Sequence, residues 1–198
     1  MRHGFGLMNA KTLAVSALSV AICLSVPARQ KLPAAPHGEV PELRVGLLSD
    51  PHVTPDPASC DRVRKAFKIF RRESVDAVAH LGDLADLHWP EAYRNYRAAI
   101  DAVWPEGAAK PRFLYAWGNH DSIDCERRNQ KDRQMDRAVA FATMKRALGI
   151  GHDLAWQETV KGYTFLCVPE IPQDVWDSKT CRDRIEAACA ATPDRPVF

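Results

Sequence analysis

Three short clusters in this 198-residue chain hold side chains that bind metal cations: Asp50-Pro51-His52, Gly82-Asp83 and Gly118-Asn119-His120-Asp121. Carboxylate and amide oxygens suit hard cations, and imidazole adds affinity for zinc, iron, manganese and nickel. Asp50 and His52, two residues apart, can both turn toward one ion, with Pro51 expected to hold the Asp50 backbone extended. Asp83 offers two oxygens and can bridge that ion to a second one about 3.5–4 Å away. The Asn119 side-chain carbonyl can bind the second ion. His120 is then free to face a substrate as proton donor or anion clamp, with Asp121 expected to hold its imidazole. Gly82 and Gly118 allow tight turns close to such a site.

Each cluster follows a segment that reads as a buried strand: Leu43–Ser49, Val75–Leu81 and Arg112–Trp117. Helical periodicity runs between them, with Val63, Phe67 and Phe70 on one face of the first helix and a second helix over Glu91–Trp104, Pro90 at its start. Strand, helix, strand, helix, strand with apolar strands predicts parallel β-α-β units with right-handed crossovers. The clusters then lie just past the carboxyl ends of strands, the edge where such sheets bind ligands. A charged loop follows over 122–133, then a helix over Asp136–Leu148. LAWQETV and YTFLCV flank Lys161-Gly162 as a hairpin, and a last helix covers Lys179–Ala191. Arg195–Phe198 opens a further strand.

The runs LLSDPHV, HLGDLAD and WGNHD together resemble the first three motifs of the calcineurin-like metallophosphoesterases. The resemblance covers roughly Leu43 to Val168. It implies an α/β fold in which a sandwich of two mixed β-sheets is flanked by helices in four layers (αββα). It implies two metal ions (Fe, Mn, Zn or Ni), with Asp50 and His52 on the first, Asp83 bridging and Asn119 on the second. His120 would assist departure of the leaving group or stabilise the transition state. The substrate would be a phosphate ester, attacked in line at phosphorus. The family pattern continues with further histidine ligands, and the remaining histidines do not supply them. His37 lies in a linker, His80 reads as a core residue within a strand and His152 as part of a turn. His88 reads as a loop surface position that could face the substrate. The chain therefore reads as the N-terminal part of such a domain, ending before the site and the second sheet are complete. A non-catalytic binding module on the same fold is the alternative, and an intracellular nuclease or cyclic-nucleotide phosphodiesterase is a third.

Composition sets outer bounds. A formal charge of +2 with basic and acidic residues interspersed gives no reason to expect nucleic acid or an anionic membrane as partner. Arg2, His3 and Lys11 precede the uncharged run Thr12–Val26, too short for a membrane span and suited to a signal peptide cleaved after Ala28. The expected division is signal peptide 1–28, linker 29–42 and a partial catalytic domain 43–198. Export to the periplasm or medium follows, an uncleaved anchor being the alternative. Cys60, Cys125, Cys167, Cys181 and Cys189 remain, an odd number. Cys181 and Cys189 lie eight apart on one helix, roughly 12 Å, too far to bridge.

Overall fold

The computed structural model describes residues 22–25, 42–126, 135–168 and 178–198. The linker, most of the leader and the charged loop over 127–133 lie outside them. The first sheet has four strands in chain order: β1 (Ile22–Ser25), β2 (Arg44–Leu48), β3 (Ala77–His80) and β4 (Arg112–Tyr115). β2, β3 and β4 are parallel, as their apolar character predicts, and β1 runs antiparallel along the free edge of β2. The register aligns Leu48 with His80 and His80 with Tyr115, so three strands end level. That alignment brings the three clusters side by side. Placing β1 inside the expected leader is the one departure in this sheet.

Alternation within β3 sorts side chains between two cores. Val78 faces the helices, while Ala77 and Ala79 face the second sheet. On the helix side pack α1 (Asp61–Arg72), α2 (Pro90–Val103) and α3 (Arg137–Leu148). α1 follows a short 3-10 turn, Pro57–Cys60, capped by Asp56, whose carboxylate accepts from the Ala58 N–H at 3.0 Å. Arg71 and Arg72 close α1 where cations favour the helix dipole. α2 begins at Pro90 and buries Ala92, Tyr93, Tyr96, Ala99, Ile100 and Val103, the spacing of one helical face. Tyr93 and Trp104 thus both belong to this core. At its centre the fully buried Phe67 ring meets Phe70, Tyr96, Trp104 and Phe113 at 5.5–6.5 Å, mostly edge-on or tilted.

The second sheet is a hairpin, β5 (Trp156–Val160) and β6 (Tyr163–Cys167). Its turn places Lys161 at φ 50° and Gly162 at φ 79°, the pair of positive values that a two-residue hairpin loop needs. Trp156, Phe165 and Cys167 pack against Leu43, Val45, Ala77, Ala79 and Leu114 between the sheets. α4 (Ser178–Ala191) contacts β6, and none of its residues joins that inter-sheet core, which gives the order helices, sheet, sheet, helix. The expected strand start at the C-terminus is present: Val197 bridges Thr164 in parallel, and the Phe198 N–H donates to the Thr164 carbonyl at 2.9 Å. Beside it an apolar cleft of about 290 Å³ opens between the sheets, lined among others by Leu47, Leu81, Phe165 and Phe198. Cys60, Cys125, Cys167 and Cys189 are free thiols. No described helix is long and apolar enough to cross a membrane.

Because the cluster around Phe67 joins α1, α2 and β4, truncating it should be costly. Phe67→Ala is expected to lower the unfolding free energy by about 3–5 kcal/mol in urea titration, without moving any group of the site described next.

Candidate metal centre

Three loops leave the level strand ends, and backbone hydrogen bonds lace them together. The Asp50 N–H donates to the Gly82 carbonyl, His52 to Asp83 (both 3.2 Å) and Val53 to Leu84 (2.8 Å), extending the β2–β3 pairing past the strands. The second and third loops are joined by the His88 N–H on the Ile123 carbonyl at 2.8 Å. Side-chain size sets how closely they approach. A Cβ on Gly118 would sit 2.1 Å from both the backbone N and Oδ1 of Asp83, so only glycine fits there. Gly82, at φ 106°, lies directly against it.

Asp50, His52 and Asp83 converge. His52 Nε2 lies 4.0 Å from Asp50 Oδ1 and 3.9 Å from Asp83 Oδ2, and the three groups offer ligand atoms within 4.8 Å of one another. Two carboxylates and an imidazole around a gap of that size suit a borderline divalent ion, so the residues present fit a metal. All three carry positive φ (50°, 45° and 50°), a conformation uncommon outside glycine that gathers at functional sites. Asp50 is thereby not extended, contrary to the expectation drawn from Pro51. The proline bars the right-handed helical region, and the chain takes a positive φ that turns the residue into the loop cluster. Ser49 Oγ donates to Asp50 Oδ2, and the His120 N–H donates to Asp83 Oδ1 at 2.8 Å. Asn119 is exposed at the start of the short 3-10 turn His120–Ser122, in the loop that touches Asp83, and makes no capping bond with its side chain.

The His120 ring stands edge-on to His52, with centroids 4.6 Å apart. Its Nδ1 is 2.7 Å from the Asp86 backbone carbonyl, which can only accept, so Nδ1 carries the proton and Nε2 is left for the cleft. Asp86 was not singled out from the sequence. Its Oδ1 lies 3.3 Å from His52 Nδ1 and 3.9 Å from His120 Nδ1, so its carboxylate stands beside both imidazoles while its carbonyl orients His120. A second cluster of possible ligands, His52, Asp86 and His120, results.

Two expectations need correction. Asp121 does not hold the His120 imidazole. Its fully buried carboxylate accepts instead from the backbone N–H groups of Ala85 (3.0 Å), Gly118 (3.2 Å) and Leu84 (3.3 Å), binding the second loop to the third. His88 is buried as well. Its Nδ1 lies 2.9 Å from the Asp121 carbonyl and 3.0 Å from the Tyr93 hydroxyl, so it is not the loop surface position expected. His80 is the core residue expected, and His152 sits against Trp156 at the base of the hairpin, remote from the cluster. Among the described residues no further histidine joins the site.

Burial pushes the Asp121 carboxyl up to about 7, against the three backbone N–H groups and with Asp83 pushing the same way. A carboxyl raised above its free value of about 3.9 holds its proton more tightly folded than unfolded. That contribution is complete below about pH 4 and is lost as pH rises toward 7. Asp121→Asn cannot titrate. In the presence of chelator the stability gap between wild type and this variant should narrow by up to about 4 kcal/mol from pH 4 to 7. Urea unfolding across that range checks it, and a gap independent of pH would contradict it.

Comparison with known proteins places this geometry. A dimetal phosphatase from Danio rerio is 21% identical with a TM-score of 0.44, the match covering 62% of this chain and 42% of that one. The purple acid phosphatase PPD1 from yellow lupin (Lupinus luteus) seeds is 12% identical with a TM-score of 0.48, covering 79% and 32%. The chain thus spans less than half the length of either structure. No curated protein matches it. The family model for calcineurin-like phosphoesterases matches residues 43–186, well over half the sequence, and includes all three loops of the cluster. The chain belongs to the calcineurin-like phosphoesterase family.

Proposed function

We propose that this chain carries the metal-dependent phosphate-ester chemistry of its family, centred on Asp50, His52, Asp83, Asn119 and His120. The observation that carries the reading is the convergence of Asp50, His52 and Asp83 on a gap the size of an ion, beside an imidazole with one nitrogen to spare. Asp50, His52 and Asp83 would hold one ion, and Asp83 with Asn119 a second. Bound there, the ions supply charge neutralisation at the phosphoryl oxygens and an activated nucleophile at neutral pH. The chain's own residues do the rest. Asp83 presents Oδ2 to the gap while Oδ1 is held by the His120 N–H. The Asp86 carboxylate stands 3.3 Å from the far-side nitrogen of His52, where it favours the imidazole electrostatically. His120, its tautomer fixed by the Asp86 carbonyl, aims Nε2 outward, where a protonated ring can steady a phosphoryl oxygen or give its proton to the leaving alkoxide. Asp121 serves by positioning: it fixes the backbone that carries His120 without touching a substrate.

The test is paired measurement of metal uptake and turnover on the purified chain. Mn²⁺ titration and hydrolysis of p-nitrophenyl phosphate should both be measurable. Asp83→Asn should weaken Mn²⁺ by about 100-fold or more, since it removes a charged ligand shared by both ions. His120→Ala should leave Mn²⁺ binding within a few-fold and lower kcat by about 10²–10⁴-fold. Failure to take up Mn²⁺ would overturn the reading. Uptake without turnover would favour the non-catalytic module instead.

Export is proposed separately, supported by the basic start and the apolar run Thr12–Val26. Cleavage after Ala28 would remove β1 from the sheet, whereas an uncleaved leader would keep it as the edge strand. N-terminal sequencing of the cell-derived protein decides, with Arg29 expected as the first residue.

A further inference from the structure

We propose that His80, inside the core beneath the metal centre, is a positioning residue that sets the Gly82 turn and through it Asp50 and Asp83. The inference rests on the reading just given and adds a residue to it. His80 is the last residue of β3 and is 1% exposed, with its ring against Tyr96 (5.6 Å, edge-on) and Tyr115 (6.2 Å). A wholly apolar residue would satisfy that packing. The imidazole does something apolar residues cannot: its Nδ1 lies 3.3 Å from the Gly82 N–H, which donates to it. Nδ1 is therefore the unprotonated nitrogen, and Nε2 carries the hydrogen. Burial holds the ring neutral, against the pull of Asp50 toward protonation. Nε2 has no protein partner, a cost this site bears without return from packing.

The Nδ1 bond reaches the ligands in one step. Gly82 is the residue at φ 106°, where the chain turns from β3 into the loop. Its N–H is held from below by His80, and its carbonyl receives the Asp50 N–H at 3.2 Å. Its Cα packs against Gly118, the residue that abuts Asp83. Asp83 follows directly. Without the Nδ1 acceptor the Gly82 N–H would be buried and unpaired, and the peptide would gain by rotating to find another partner. Rotation there displaces the carbonyl that anchors Asp50 and the start of Asp83 together. The imidazole at position 80 thus explains a buried polar residue in an otherwise apolar strand.

Two amide substitutions separate this role from ordinary packing. His80→Asn keeps an acceptor at the position of Nδ1. His80→Gln is closer to histidine in volume but carries its amide one carbon further out, near the position of Nε2. Two readouts are taken on each full-length variant: hydrogen-exchange protection of the Gly82 amide by NMR, and Mn²⁺ affinity by calorimetry. Positioning requires His80→Asn to keep Gly82 protection and bind Mn²⁺ within about 3-fold of wild type. His80→Gln should lose that protection and bind at least 10-fold more weakly, although its melting temperature is the nearer to wild type. A packing role predicts the reverse order, with affinity following stability, and would overturn the proposal. So would equal affinity in both variants, or loss of Gly82 protection with Mn²⁺ affinity unchanged. If the wild type keeps Gly82 protected but takes up no Mn²⁺, the metal reading has failed and the proposal falls with it.

Discussion

The arrangement depends on one buried carboxylate gripping backbone. Asp121 takes N–H groups from Leu84 and Ala85 on one loop and Gly118 on another, all within 3.3 Å. Its own carbonyl is met by His88 and by the Tyr93 hydroxyl, at 2.9 and 3.3 Å. Loops that leave parallel strands have no ladder to hold them, and their amides would be unpaired once covered. A single side chain with two oxygens satisfies three of them at once and fixes the separation of the loops. That separation places the His120 N–H on Asp83 and the His120 ring beside His52. Removing water from this carboxylate is expensive, and the cost is visible in its reluctance to ionise.

The same logic recurs on a smaller scale around the ligands. Two of the candidate ligands are held by hydrogen bonds: Asp83 by the His120 N–H and His120 by the Asp86 carbonyl, while the Asp86 carboxylate stands 3.3 Å from His52 Nδ1. Each bond uses one atom of the group and leaves the other available. An imidazole has only two nitrogens, so fixing one determines what the other can offer. Positive φ at Asp50, His52 and Asp83 adds strain, which the interlaced loop hydrogen bonds resist.

How far this was legible in the sequence follows from the range of each interaction. The strands, the helices and the hairpin turn were readable, because periodicity and turn chemistry are local. Asp50, His52 and Asp83 were readable as a group because parallel strands bring successive loop starts to one edge. Asp86 was not: it stands only three residues from Asp83, and nothing local shows that the loop curls back to put it between two imidazoles. Asp121 was assigned to its neighbour in sequence when two of its three carboxylate partners are 36 and 37 residues away and all three are backbone groups, which carry no residue code. His88 read as a surface position because polar loops normally are one. Its bridge to Asp124 and its contacts with Asp121 and Tyr93, all distant in sequence or set by the fold, accompany its burial. β1 was hidden for a different reason, since an apolar run suited to a leader and one suited to an edge strand are alike in composition.

The two proposed ion positions would not be equivalent, and the difference lies in charge and exposure. Toward the first, Asp50, His52 and Asp83 bring two carboxylates and one imidazole from loops joined by consecutive backbone hydrogen bonds. Toward the second, the described residues bring Asp83 again and Asn119, a neutral amide on an exposed position. A shared carboxylate cannot give its full charge to both ions, so on the proposed assignment the second ion would be held more weakly than the first. The difference matters for chemistry because one ion can orient a phosphate, but neutralising both the entering and leaving oxygens takes two. His120, with Nδ1 taken up by the Asp86 carbonyl and its ring edge-on to His52, keeps Nε2 available beside these positions.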